Sequence, residues 1–367
     1  MRQDPSQRGY GRQDRGGRMP SRGGEHKSVY APWVKYAVAG AVVLLALVAF
    51  VAVRGCTPSK KAAGSVTATA KADAGGTSGS KAKSSAKSKK AKKDKTGIAA
   101  IPTGASVQTF NVKGGDAPVF THGELASLKM AIAAAEKSGD VGLVFYDMAS
   151  GKGVAYNADL EVYGASSFKA PYALYICEQL VEKGDVKLDE PLSTYDEGSS
   201  LGDETVGDLI KAAIVDSDND SYIALRRAFD GKSYDAWAKK LGIAEAQSED
   251  GGEFPTYSPR TSAKIWAATD AYLSRNDDTS KWFAEQLRST TMSFIRNGIS
   301  SGEATVYDKA GWINEDGYAA TCDSGLVQID GHTYVMTIMT TIPWDDAATA
   351  TVGDIAAALA EARGNFA

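Results

Sequence analysis

Ser166 and Lys169 stand three positions apart in Ser166-Ser167-Phe168-Lys169. A serine hydroxyl is a weak nucleophile and needs a base beside it. A lysine can be that base once burial or a neighbouring cation lowers its pKa. The apolar pattern Ala170–Glu182 predicts a helix here, with Pro171 tolerable only near its start. On a helix, positions i and i+3 share a face. The helix start also supplies amide donors and positive potential for a developing oxyanion. Taken alone the spacing is weak, because Ser-x-x-Lys is common on exposed helices.

Two further groups follow in order. Ser217-Asp218-Asn219 comes after the helical pattern Thr205–Val215. A serine there can relay a proton to a leaving nitrogen, and Asn219 can hold a substrate amide. Equally, Ser217 or Asp218 can cap the next helix, expected over Tyr222–Phe229. Lys309-Ala310-Gly311 lies inside the strand pattern Val306–Ile313. A glycine after a strand lysine suggests close backbone approach to a ligand, although a lone lysine can also simply guard a sheet edge.

Together the three groups resemble the penicillin-recognising serine hydrolases, and the class A β-lactamases most closely. The likeness covers about Glu124 to Arg363. It implies that Ser166 is acylated and that Lys169 belongs to the base. Ser217 would pass the proton to the departing amide nitrogen. Asn219 would bind the acyl side chain, and Lys309 would stabilise negative charge and orient Ser217. Substrate would run along Ala310, Gly311 and Trp312, with the N–H groups of Ser166 and Trp312 as the oxyanion hole.

Two departures from the family pattern matter. Ala310 replaces a hydroxyl residue that helps hold the substrate carboxylate. The Glu-x-x-Leu-Asn element that carries the deacylating glutamate is missing. Glu245, Glu249 and Glu253 are the nearby carboxylates, and Glu253 is the loosest fit worth naming. The implied substrate is a β-lactam or a related peptidoglycan amide, hydrolysed by a β-lactamase. A D-alanyl-D-alanine peptidase or transpeptidase and a non-hydrolytic wall-binding module are the alternatives.

Other chemistries fare worse. The globular part holds only His122 and His332 and no Gly-x-Ser-x-Gly elbow, which argues against a Ser–His–Asp hydrolase. Glycine loops for phosphates or dinucleotides are missing, and no cofactor is implied. The cysteines, Cys56, Cys177 and Cys322, form no metal-ligand spacing, so no metal is expected. Cys177 and Cys322 could pair in an oxidising compartment or stay as two buried free thiols, the second being the expectation.

The elements must bring three distant segments together. Helical spacing runs from Glu124 to Lys137, and strands are expected at Val141–Tyr146 and Gly153–Tyr156 around the turn Ser150-Gly151-Lys152. From Ser167 to Arg296 nearly everything reads helical. Strand patterns return at Ala304–Ile313, Ala319–Ile329 and Thr333–Thr341, and a last helix covers Ala347–Arg363. The fold class is therefore α/β of the α+β type. One antiparallel sheet is shared by both ends of the domain, a helical lobe is inserted between them, and the site lies between the two.

The 367 residues are uneven. Residues 1–97 carry 20 Lys+Arg against 5 Asp+Glu, a net of +15, whereas the rest carries 21 against 40, a net of −19. The acidic globular part excludes nucleic acid as a partner. Tyr36–Val53 is an uncharged apolar run long enough to cross a bilayer, with Trp33 and Tyr36 at its edge. The expected organisation is a basic cytoplasmic tail over 1–33, a single-pass membrane helix over 34–54, a low-complexity linker over 55–104 and the catalytic domain over 105–367. Val53-Arg54-Gly55-Cys56 faintly resembles a lipoprotein cleavage box, against which Arg54 argues. The 11 lysines of residues 57–97 suit adhesion to an anionic wall polymer. The catalytic domain is thus expected outside the cytoplasm.

Overall fold

The computed structural model describes residues 97–243, 246, 254–299, 302, 304–315 and 317–366. The expected tail, membrane helix and most of the linker, together with Glu245, Glu249 and Glu253, lie outside the described residues. Among the described residues no helix is long and apolar enough to cross a membrane.

A six-stranded antiparallel sheet has the order β1-β3-β2-β8-β7-β6. Its strands are β1 (Gln108–Asn111), β2 (Val141–Asp147), β3 (Lys152–Tyr156), β6 (Ala304–Glu315), β7 (Tyr318–Ile329) and β8 (His332–Thr340). The sheet closes where β2 pairs with β8, Val144 opposite Thr337. Strand β1 had no counterpart in the sequence reading, being four residues long with one buried side chain.

The all-buried run of β2 follows from helices covering both sheet faces. Its side chains alternate between two cores. Val141, Leu143 and Phe145 join Leu128 and Ile132 of α1 (His122–Ala135) and Val352, Ile355 and Leu359 of α9 (Asp346–Ala362). Val144 and Tyr146 join the second core, with Phe168 and with Ile265 and Trp266 of α6 (Pro259–Leu273). A Thr121–Glu124 capping box starts α1, and Ser258 caps α6 with proline in its first turn.

The helical lobe is built from α2 (Lys169–Tyr175), α3 (Val206–Val215), α4 (Asn219–Phe229), α5 (Lys232–Leu241), α6 and α7 (Asp278–Arg288), whereas the short α8 (Phe294–Gly298) buries Phe294 and Ile295 in the other core with α9. Helix α2 passes into a π-helical stretch at Ile176–Val181. Within the segment expected to be nearly all helical, β5 (Thr256–Tyr257) is a short strand, and it pairs with β4 (Val162–Tyr163), just ahead of the segment, as a two-stranded ribbon. Two-residue strands leave no periodicity to read. Arg226 of α4 locks α4 to α2. Its Nε donates to Asp230 at 2.7 Å, and Tyr172 of α2 donates to the same carboxylate at 2.7 Å. The helices carrying Lys169 and Asn219 are thereby fixed to each other. Cys177 and Cys322 are buried free thiols, and burial pushes the Cys322 thiol up to about 12.

Candidate active site

The chain enters the site from β4. Gly164 donates to Pro255 O at 2.9 Å, and a Cβ there would sit 2.2 Å from the Tyr257 ring. Ala165 then takes φ +44°, a strained conformation for a residue with a side chain. A 3₁₀ turn, Ala165–Phe168, follows and runs directly into α2. The Ser167 hydroxyl fixes this turn, donating to Gly164 O at 2.6 Å and lying 2.6 Å from Tyr257 Oη. Ser166 lies in this turn and Lys169 opens α2, so the two, three positions apart, fall on one face where the turn runs into the helix. Ser166 is half-buried and Lys169 is 1% exposed.

Ser217 and Asn219 approach from the α3–α4 junction. Ser217 has φ +58°, the left-handed position that ends many helices. The turn lets Asp218 N–H reach back to Ala212 O at 3.1 Å. Asp218 then caps α4, accepting from Ser221 N–H at 2.7 Å. The cap therefore falls on Asp218, which leaves Ser217 for the site. Lys169 Nζ donates to Ser217 O at 2.5 Å and to Asn219 Oδ1 at 2.6 Å, and lies 3.4 Å from Ser217 Oγ.

Lys309 arrives on β6, the edge strand. It is 1% exposed, and its Nζ donates to Ser217 Oγ at 3.0 Å and to Ala310 O at 2.9 Å. Burial pushes its pKa down to about 8, opposed by the carboxyls of Asp323 and Asp308. Gly311 explains how β6 comes so close. A Cβ there would lie 2.3 Å from Ser167 N, 2.4 Å from Gly164 O and 3.0 Å from Ser166 N. The Ala310 methyl is fully buried in the core beneath α9, so this position contributes its carbonyl alone. The Trp312 ring packs between Phe294 and Trp344, with both centroid distances 6.1 Å.

The sequence reading missed a buried carboxyl pair behind Lys309. Asp308 precedes it on β6, and Asp323 lies opposite Ala310 on β7; both are fully buried. Asp323 Oδ2 accepts from Phe294 N–H at 2.7 Å and Ile295 N–H at 2.9 Å. Asp308 accepts from Thr290 Oγ1 at 2.9 Å, Arg296 Nη2 at 3.0 Å and Ser293 Oγ. Burial, reinforced by Asp308 beside it, holds the Asp323 carboxyl well above the usual carboxylate range. The available signal was a lone aspartate inside each of two apolar strand patterns, because buried carboxylates are rare unless paired.

The arrangement can deliver a hydroxyl, a proton acceptor, a proton relay and a fixed positive charge to one point. Comparison with known proteins agrees on the fold. The chain matches the β-lactamase enzyme family over residues 126–362. No curated protein matches it. Among solved structures it is similar to a variant of the class A β-lactamase of the last common ancestor of Gram-negative bacteria. That match has 23% identity, TM-score 0.53, and covers 65% of this chain and 100% of the other. It is similar to an acyl-enzyme complex of a PBP-A mutant with penicillin G, at 17% identity and TM-score 0.56, over 65% and 96% of the two chains. A β-lactamase from Chitinophaga pinensis matches at 19% identity and TM-score 0.56, over 66% and 99%. These identities carry the fold, and the family match spans well over half of the chain: the protein belongs to the β-lactamase enzyme family.

Proposed function

We propose that this protein is a membrane-anchored serine hydrolase acylated at Ser166 by a β-lactam or a related peptidoglycan amide, which it then hydrolyses. The observation that carries the reading is the placement of Ser217 Oγ, 3.0 Å from Lys309 Nζ and 3.4 Å from Lys169 Nζ. Neutral Lys169 takes the Ser166 proton as Oγ attacks the amide carbonyl. The N–H groups of Ser166 and Trp312 face the oxyanion. Collapse breaks the C–N bond; Ser217 hands its proton to the leaving nitrogen and takes back from Lys169 the proton that came from Ser166, while Lys309 stabilises the negative charge. Asn219 holds the acyl side chain. Water then attacks the ester, and Ser166 regains its proton. The apolar run Tyr36–Val53 would hold the domain at the outer face of the membrane, and the Lys-rich linker would adhere to anionic wall polymer. Deleting residues 57–97 should then lower wall association, and unchanged association would reject the adhesion role.

A second reading is a D-alanyl-D-alanine peptidase or transpeptidase, in which the acyl-enzyme persists in the presence of penicillin. The missing Glu-x-x-Leu-Asn element favours it, whereas Ala310, with no hydroxyl for a substrate carboxylate, is the support for a non-hydrolytic binding module. Intact-mass spectrometry of the purified chain with penicillin G separates the readings. A transient adduct with accumulating hydrolysed drug supports the hydrolase. A lasting adduct supports the peptidase. Absence of any Ser166-dependent adduct leaves a non-hydrolytic binding module and sinks both.

A further inference from the structure

Four aromatic rings run in series from Lys169 Nζ to solvent. Tyr222, fully buried, lies with its ring centre 6.0 Å from Lys169 Nζ. Phe254 stacks on it at 4.9 Å with the planes 4° apart, its own centre 5.6 Å from the same nitrogen. Tyr163 meets Phe254 edge-on at 6.3 Å. Tyr318 meets Tyr163 at 5.0 Å. Burial falls along the series: Phe254 and Tyr163 are half-buried, and Tyr318 is 55% exposed.

The series belongs to the mouth of the site. Tyr163 is on β4, three residues before Ser166. Tyr318 opens β7, whose pairing with β8 begins only at Asp323. Residues 318–322 thus overhang the sheet next to β6, and the tip of the overhang folds back onto β4 through the two tyrosines. Large exposed apolar side chains are few among the described residues. The other two, Val119 and Met130, precede and lie on α1, away from this cleft. A tyrosine at the rim presents a broad, stiff ring that an aromatic partner can stack on or meet edge-on.

Building on acylation at Ser166, we propose that Tyr163 and Tyr318, backed by Phe254 and Tyr222, form an aromatic wall that selects amides whose acyl group carries a flat aromatic ring. The wall is a specificity device. It leaves bond-making to Ser166 and its neighbours.

The test compares second-order acylation rate constants of the full-length protein for penicillin G, which carries a phenylacetyl group, and 6-aminopenicillanic acid, which has no acyl group. Wild type should prefer penicillin G. Tyr318→Ala and Tyr163→Leu should each lower the penicillin G to 6-aminopenicillanic acid ratio about fivefold, and Tyr318→Trp should keep it. Merely clamping the hairpin would slow both compounds together and leave the ratio alone. A ratio within twofold of wild type in both Tyr318→Ala and Tyr163→Leu overturns the wall. No adduct on wild type with either compound overturns the acylation reading, and the wall with it.

Discussion

Lys309 Nζ donates to Ser217 Oγ at 3.0 Å, joining the edge strand of the sheet to a loop of the helical lobe 92 positions earlier in the chain. The hydroxyl cannot be in place unless both lobes are folded and docked. Ser217→Ala should lower the acylation rate by at least 100-fold, in the range of a lost proton-transfer group. Because Ser217 sits at φ +58°, Ser217→Gly should be equally inactive and yet more stable than Ser217→Ala by about 1 kcal/mol. Urea titration of both variants checks the order.

Lys309 should make activity and stability diverge with pH. Its pKa of about 8 lies below the ordinary 10.5. The ammonium that stabilises negative charge is therefore lost above about pH 8, and the acylation rate constant should fall there. Between about 8 and 10.5 the unfolded chain binds more protons at this residue than the native one. The Lys309 contribution to stability thus rises with pH across that window. Lys309→Met should abolish acylation and raise, not lower, the melting temperature at pH 7, because burying the charge costs on the order of 3 kcal/mol. A lowered melting temperature would refute this account.

The Asp323 carboxyl has the opposite sign. Its pKa is raised in the native protein, so above about pH 4 the native state holds a proton that the unfolded chain releases. Stability from this group is present at low pH and is lost as pH rises. Asp323→Asn mimics the protonated acid and keeps an oxygen for the Phe294 and Ile295 N–H groups. It should therefore gain stability over wild type by about 1–3 kcal/mol at pH 8, and by less at pH 4. Denaturant midpoints at the two pH values would show it.

Gly311→Ala should separate β6 from the Ser166 turn. The added carbon would meet the backbone atoms Ser167 N and Gly164 O at 2.3 and 2.4 Å, and backbone cannot rotate aside. A loss of about 1–3 kcal/mol and of acylation is expected. Retention of wild-type acylation would mean that β6 does not approach Ser166 this closely.

Much of this was legible before the structure. The β6, β7 and β8 strands announce themselves through alternating apolar runs and the Asp330-Gly331 turn, and the observed ends differ from the expected ones by only a residue or two. Thr205 marked a helix start because side-chain caps are local chemistry. Pairing across the chain was not legible. Asp308 and Asp323 become neighbours only through the β6–β7 register, and that register places Asp323 opposite Ala310. The ribbon that carries Tyr163 is two residues long on each side, and the π-helical stretch at Ile176–Val181 has the same residue preferences as an α-helix. Local motifs singled out Ser166, Lys169, Ser217 and Lys309 as candidates; tertiary contact alone revealed what stands around them.

The pairing of Val144 with Thr337 also constrains biosynthesis. Strand β2 leaves the ribosome long before β8 exists. At about 5–20 residues per second, roughly 10–40 s separate the two. During that interval β2, apolar on both faces, has no partner on its β8 side. A nascent chain of this protein therefore depends on something else to shield that strand until β8 (His332–Thr340) has been made.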